Sequence, residues 1–193
     1  MELSPSLLLS AYCEGIFPMA HEDGNIYWYD PDPRAILPLD SFHVPRSLAR
    51  TIKKGDVEIR CNSAFVAVIQ ACAEPAPGRE ETWINQDIVM AYTRLHKLGF
   101  AHSVETWFEN ELVGGLYGVA VRGLFAGESM FSRISDASKV ALVYLVERLR
   151  QRRFQLLDVQ FMTDHLRRFG AIEIPATIYK ERLAQALAVS AHF

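Results

Sequence analysis

The sequence predicts a mixed α/β fold: one sheet flanked by helices, with a small N-terminal lobe. Two patterns carry this reading. Three strand-like segments, SVETWF (103–108), LVGGLYGVAV (112–121) and LFAGESMFS (124–132), follow one another with Glu109-Asn110 and Arg122-Gly123 at the turns. That is an antiparallel meander. A helix from about 135 to 151, the strand FQLLDVQ (154–160), a short helix from 163 to 169 capped by Gly170, and the strand AIEI (171–174) come next. A meander feeding a strand–helix–strand unit gives a mixed sheet with helices on its faces.

The remaining elements follow from local signals. Ser4, Pro5 and Gly15 mark the cap, first turn and end of a first helix. The stretch FPMAHEDGNIYWYDPDPRAILP (17–38) carries too much Pro, Asp and Gly for long helices, and its aromatic cluster argues against disorder. It completes an N-terminal lobe, 1–38, ahead of a catalytic domain, 39–193. Pro45 opens a helix that runs to Gly55, and VEIRC (57–61) reads as a strand. Asn62 or Ser63 caps a helix that carries Phe65, Val68, Ile69 and Cys72 at helical spacing. EPAPGRE (74–80) is a surface loop. A helix over 85–98 follows, with Ile88, Tyr92, Leu95 and Leu98 on one face and Gly99 as terminator. A last helix begins near Thr177, and no internal repeat or low-complexity tract interrupts the chain.

Composition narrows the function classes. The chain has 193 residues, half of them apolar, with 20 basic and 23 acidic side chains and a net charge of −3. This balance leaves any nucleic-acid contact to a local patch. Three cysteines, Cys13, Cys61 and Cys72, form no C-x-x-C pair, so neither a disulfide framework nor a zinc site is expected. No apolar run is long enough to span a membrane, and the N-terminus lacks a signal-peptide pattern. A cytoplasmic protein is expected.

The element order looks like the acetyltransferase-like (GNAT) fold, in which the strands on either side of the long helix splay apart and the donor sits in the gap. Acyl-CoA enzymes of that fold cradle the pyrophosphate in a glycine-rich loop at the helix N-terminus. The equivalent segment here, SRISDASK (132–139), has no glycine. Fold alone is therefore a weak guide to the reaction.

More specific are the motifs GESMFS (127–132), HSVETW (102–107), LVGGLYGV (112–119), LLDVQ (156–160) and GAIEIP (170–175), with AYCEGIFPM (11–19), DPDPR (30–34) and TWIN (82–85) upstream. In this order they closely resemble bacterial leucyl/phenylalanyl-tRNA–protein transferases, over nearly the whole chain. The resemblance implies an acetyltransferase-like catalytic domain that uses no coenzyme A. It implies transfer of Leu or Phe from aminoacyl-tRNA to proteins with N-terminal Arg or Lys, which marks them for N-end rule degradation. The family usually has further residues at both termini. It also has W-W-S-P-D-P-R where this chain has W-Y-D-P-D-P-R, so Tyr29 stands for a tryptophan.

Candidate residues follow. Asp158 and Gln160 lie two apart in a strand, so their side chains share a face, with Leu157 and Val159 on the other. A lone carboxylate and amide in an apolar strand form either a structural tie or a site. The resemblance places both at the reaction centre. Asp158 either accepts a proton from the attacking amine or orients it, and Gln160 hydrogen-bonds the ester or the amine. Glu128 is the other central acid that the resemblance implies, holding the acceptor's cationic N-terminus; a hydrogen bond to loop backbone is the plainer reading. Ser129 and Ser132 lack a Ser-His-Asp arrangement and are not nucleophiles.

Arg46, Arg50, Lys53 and Lys54 make one basic stripe on a helix with no acid between Pro45 and Gly55. A solvated face is the usual meaning; the resemblance assigns it to tRNA phosphates. Trp28, Tyr29, Trp83 and Tyr92 are candidates to stack on the terminal adenosine, Tyr92 being equally a core aromatic. Phe125, Met130, Leu142, Leu145 and Leu149 are candidates for the amino-acid pocket, though most such residues are simply core. No metal or cofactor is expected. Two rivals stand: an acyl-CoA-dependent N-acyltransferase, and a tRNA-end binding module without catalysis.

Overall fold

The computed structural model describes residues 3–75 and 82–193. The helix α1 (Pro5–Glu14) is capped by Ser4 Oγ, which accepts the Leu7 N–H, and ends on Gly15 in the left-handed region, φ 80°. The strands β1 (Phe17–Ala20) and β2 (Ile26–Tyr29) form a separate antiparallel hairpin. Then come β3 (Arg34–Ile36), α2 (Arg46–Lys54), β4 (Glu58–Cys61), α3 (Phe65–Ala73) and α4 (Gln86–Lys97). The meander is β5 (Ala101–Phe108), β6 (Glu111–Val121) and β7 (Leu124–Ser132). It is followed by α5 (Ala137–Gln151), β8 (Leu156–Gln160), α6 (Asp164–Arg167), β9 (Ile172–Ile174) and α7 (Ala176–Ala188).

Seven strands form one sheet in the order β4-β5-β6-β7-β8-β3-β9. Every neighbouring pair is antiparallel except β7 and β8. On one face, α5 and α2 bury Leu142, Leu145, Leu149 and Leu48. On the other, α1, α3 and α4 bury Leu8, Val68, Ile69, Ile88 and Leu95, and α7 adds Tyr179 and Leu183 against β3 and β8. This is the mixed α/β, acetyltransferase-like architecture that the pattern predicts.

Two local expectations change. Arg34–Ile36, at the end of the loop-rich stretch, is an inner strand of the large sheet, between β8 and β9. A three-residue strand is too short to show a period. The cap of α3 is neither Asn62 nor Ser63. Glu105 of β5 accepts the backbone N–H groups of Ser63 and Ala64, each at 3.0 Å. The β4–β5 pairing brings this carboxylate beneath the helix start, where it satisfies free amides and the helix dipole. The predicted surface loop over 74–80 lies, beyond Pro75, outside the described residues.

The site is set by where β7 and β8 part. They pair only from Leu124/Leu156 to Ala126/Asp158. Beyond that, β7 stays with β6, while β8 stays with β3 through Gln160 and Ala35. A gap opens between Gly127 and Val159, with the N-terminus of α5 beside it. Gly114 lets α5 sit this close: a Cβ there would lie 2.5 Å from Ala137 Cβ and 2.8 Å from Thr106 Oγ1. Gly114→Ala should cost about 1–3 kcal/mol by overpacking, read as a lower urea midpoint at unchanged slope. An unchanged midpoint would contradict the close approach.

Candidate active site

The gap between β7 and β8 holds a cavity of about 290 Å³. Its walls are Gly127, Glu128, Ser129 and Met130 from β7, Leu142 and Leu145 from α5, and Leu157, Val159 and Gln160 from β8. Phe161, Thr163 and His165 follow β8, and Phe17, Met19 and Trp83 close the side toward the hairpin. The lining is mainly apolar, with a polar edge at Glu128, Ser129 and Gln160. Such a chamber suits an apolar side chain with a reactive polar group at its rim.

Behind the polar edge lies a buried ion pair. Arg34 Nε donates to Asp158 Oδ1 at 2.9 Å and Nη2 to Oδ2 at 2.6 Å. Both side chains are 1% exposed. Asp158 also accepts the Tyr179 hydroxyl at 2.9 Å and the backbone N–H of Gln160 at 2.9 Å. Arg34 Nη1 donates to the Gly15 carbonyl at 2.8 Å, and the guanidinium lies over the rings of Phe17 and Tyr179, 4.8 and 4.4 Å from their centroids. All four donors converge on one carboxylate, so the geometry suits Asp158 to holding neighbours rather than receiving a proton from a substrate it cannot reach.

What it holds is Gln160. This residue has φ 60°, uncommon for a side-chain-bearing residue, and the next N–H, of Phe161, turns back to the Val159 carbonyl at 2.7 Å. A strained turn of this kind costs roughly 1–3 kcal/mol and persists only where its surroundings enforce it. Here the bond from Gln160 N–H to Asp158 enforces it. The turn carries the Gln160 amide to Glu128, where Nε2 donates to Oε1 at 3.1 Å.

Glu128 is half-buried and faces the cavity. Tyr12 donates to its Oε1 at 2.8 Å, and Tyr92, whose hydroxyl lies 3.4 Å from Oε2, shares its single proton between that oxygen and the Tyr12 hydroxyl. Burial, reinforced by the negative Asp158, raises its pKa to about 8 against the partial relief of the Tyr12 bond and of Arg34. The same burial, with Glu128 adding to it, pushes both phenols well above their ordinary value.

Several candidates from the sequence meet here and others do not. Gln160, Glu128, Met130, Leu142, Leu145 and Trp83 line the cavity. Tyr29 borders it by stacking on Phe17, centroids 5.9 Å apart. Trp28 points to the hairpin's other face, opposite Pro18, and packs on the core. Tyr92 is fully buried and offers no face for a base; its hydroxyl serves Glu128 instead. Phe125 and Leu149 are likewise fully buried away from the cavity, Phe125 against Phe154 and Phe193. Helical or strand spacing marks such residues as inward-facing without saying which side of the splay they reach. Arg46, Arg50, Lys53 and Lys54 are all exposed on α2, with no ion-pair partner among the described residues.

Sequence reasoning missed Arg34, Tyr12 and Tyr179. A signal existed for Arg34, a lone cation entering the apolar run RAIL as Asp158 is a lone anion in LLDV. The whole DPDPR segment is structural: Asp30 pairs with Lys180 at 2.5 Å, Asp32 Oδ1 accepts the N–H of Ala176 at the start of α7, and Arg34 holds Asp158. The loop ahead of α5 is also self-satisfied. Ser132 Oγ accepts the Ser138 N–H at 2.8 Å, and Lys139 pairs with Asp136 at 2.6 Å. An amide that a glycine-rich loop would offer to a diphosphate is already used.

The splayed sheet is that of an acetyltransferase-like scaffold, and the apolar chamber with its amide–carboxyl rim is its candidate site. The leucyl/phenylalanyl-tRNA protein transferase family model matches residues 36–184, and the model of that family's N-terminal domain matches residues 1–32. A leucyl/phenylalanyl-tRNA–protein transferase from Herpetosiphon aurantiacus is 60% identical over 192 residues, 99% of this chain and 98% of the relative. One from Paramagnetospirillum magneticum is 55% identical over 193 residues, 99% and 92%. Among solved structures, L-PGS from Bacillus licheniformis shares the fold, with a TM-score of 0.50 at 10% identity over 94% of this chain and 76% of that one. The chain belongs to the leucyl/phenylalanyl-tRNA protein transferase family and is an aminoacyltransferase. No helix among the described residues is long and apolar enough to cross a membrane.

The raised Glu128 pKa gives a stability test. The unfolded chain releases this proton near the ordinary value of 4.5, while the folded chain keeps it until about 8. Stability associated with this proton is therefore complete below 4.5 and is lost as pH rises to 8. Glu128→Gln keeps the shape and cannot ionise. Its melting temperature relative to the wild type should rise steadily between pH 4.5 and 8; parallel curves would remove the shift.

Proposed function

We propose that the cavity receives the aminoacyl group of a charged tRNA, Leu or Phe and by extension Met, and that the rim passes it to the N-terminal amine of a protein beginning with Arg or Lys. The observation that carries this reading is the placement of Gln160 and Glu128 side by side at the mouth of an apolar chamber. An aminoacyl ester is already activated, so the work is to place the two reactants and manage one proton. The amine nitrogen bonds to the ester carbon, the bond to the terminal ribose oxygen breaks, and the proton lost by nitrogen ends on that oxygen.

The residues divide this work. Gln160 spends one amide proton on Glu128 and has a second to offer the developing oxyanion. Glu128, with a pKa of about 8, matches the α-amine, whose ordinary value is roughly 7.7–8.0, and can exchange a proton with it. Asp158 and Arg34 position Gln160 from behind. Met130, Leu142 and Leu145 take the side chain, and unbranched or γ-branched groups fit so flexible a wall better than β-branched ones. Trp83 and Tyr29 stand at the hairpin side for the terminal adenosine, with Trp28 supporting them. The exposed stripe Arg46, Arg50, Lys53 and Lys54 meets the tRNA phosphates. The preference for Arg or Lys, the N-end rule role and a cytoplasmic setting rest on the family likeness. The amide already taken by Ser132 weighs against an acyl-CoA donor.

The test is transfer of labelled Leu or Phe from charged tRNA to a peptide beginning with Arg or Lys. The wild type should catalyse it. Asp158→Asn should lose more than tenfold in kcat while tRNA affinity and the pH profile keep their form. Binding of tRNA without transfer would favour a non-catalytic module. Loss of the profile's acidic limb in Asp158→Asn would make Asp158 the base.

A further inference from the structure

A second cavity, of about 440 Å³, lies at the other end of β8. Gln155 lines it and Gln160 lines the first, and these two residues stand about 17 Å apart along the strand. Three arginines line it. Arg150 lies at the end of α5, Arg153 in the turn that follows it, and Arg182 on α7. Pro38, Leu39 and Asp40 form the opposite wall.

All three arginines are exposed, and one of them is anchored. Arg150 donates to the Leu39 carbonyl through Nε, at 2.6 Å, and through Nη2. Its guanidinium is thereby held against the loop, and Nη1 makes no hydrogen bond among the described residues. Arg153 takes the left-handed conformation, φ 63°, in turning the chain from α5 into β8. Its carbonyl accepts Gln155 Nε2 at 3.0 Å. No carboxylate lies within ion-pair distance of these arginines among the described residues. Asp40 alone offsets them within the lining, which leaves a net of two positive charges (three arginines less one aspartate). The C-terminal dipole of α5 accounts for a cation from α5 itself. It does not account for Arg182, which comes from the middle of another helix.

We infer that this cavity binds phosphate groups. Guanidinium forks match phosphate oxygens in pairs, and an open polar hollow with unpaired arginines suits a doubly charged tetrahedral anion. Two sources share that chemistry: the backbone of the tRNA donor, and a free phosphate compound. The backbone source rests on the proposed tRNA reading. On that reading the cavity extends the basic stripe of α2, which packs beside α5, so one RNA would cross both.

The test uses the double variant Arg153→Gln, Arg182→Gln. Glutamine meets the same backbone demand at position 153 and is a good helix former at 182. An unchanged melting temperature, and unchanged transfer from 3′-aminoacyl-adenosine, which carries no phosphate, establish that the variant is folded. Uncharged tRNA is titrated against wild type and variant over a range of salt, and inorganic pyrophosphate is titrated by calorimetry. Backbone binding predicts at least a tenfold loss of tRNA affinity and a salt slope shallower by about 1–2 units. An unchanged tRNA slope with pyrophosphate binding lost in the variant supports the site with a free phosphate as ligand. Identical tRNA slopes together with no pyrophosphate binding to the wild type overturn it. If the wild type binds no tRNA at all, the donor assignment fails, and the pyrophosphate titration alone decides this site.

Discussion

The ion pair between Arg34 and Asp158 is the interaction on which the site depends. Taking both charges out of water costs several kcal/mol per ion, and pairing recovers this only with good geometry and full hydrogen bonding. Both conditions hold: the pair is bidentate, and Tyr179, Gly15 and the Gln160 N–H complete it. The pair joins β3 to β8 and reaches the end of α1 and the first turns of α7. Its value is in placement more than in net stability. Loss of one partner, which strands the other charge, costs about 3–5 kcal/mol.

The placement solves a mechanical problem. Beyond Asp158, β8 has lost β7 as a neighbour, and a strand end with one edge free would wander. The Asp158 carboxylate fixes the left-handed turn at Gln160 and aims its amide at Glu128. Glu128 then sits between that amide and two phenols, in surroundings that hold its proton to about pH 8. One carboxyl is thus kept in a hydrogen-bonded cage beside a cation and cannot reach a substrate, while the other faces the cavity and titrates near the pH at which an α-amine does. On the proposed reading, two acids and one amide take separate duties from their environments.

Much of this was legible in the sequence. The meander and crossover were clear because their strands are long and their turns carry Glu-Asn and Arg-Gly. The alternation of Asp158 and Gln160 against Leu157 and Val159 marked a polar spot in an apolar strand. Where reading failed, the missing information was long-range. The strand β3 is three residues long and acquires its place only by pairing with β8 and β9. Glu105 caps a helix 41 residues away in sequence from Ala64. Arg34 and Asp158 are 124 residues apart, and nothing local joins them. Tyr92, Phe125 and Leu149 carried the right periodicity for burial, but periodicity does not say which buried residues a cavity will touch.

The most direct measurement is a crystal structure with a non-hydrolysable amide analogue of 3′-aminoacyl-adenosine bound. The account predicts the amino-acid side chain between Met130 and Leu142, the acyl oxygen within hydrogen-bond distance of Gln160 Nε2, and Arg34 still clasping an Asp158 that makes no ligand contact. An Asp158 swung free of Arg34 to touch the analogue, or an analogue bound elsewhere with the β7–β8 chamber empty, would contradict it.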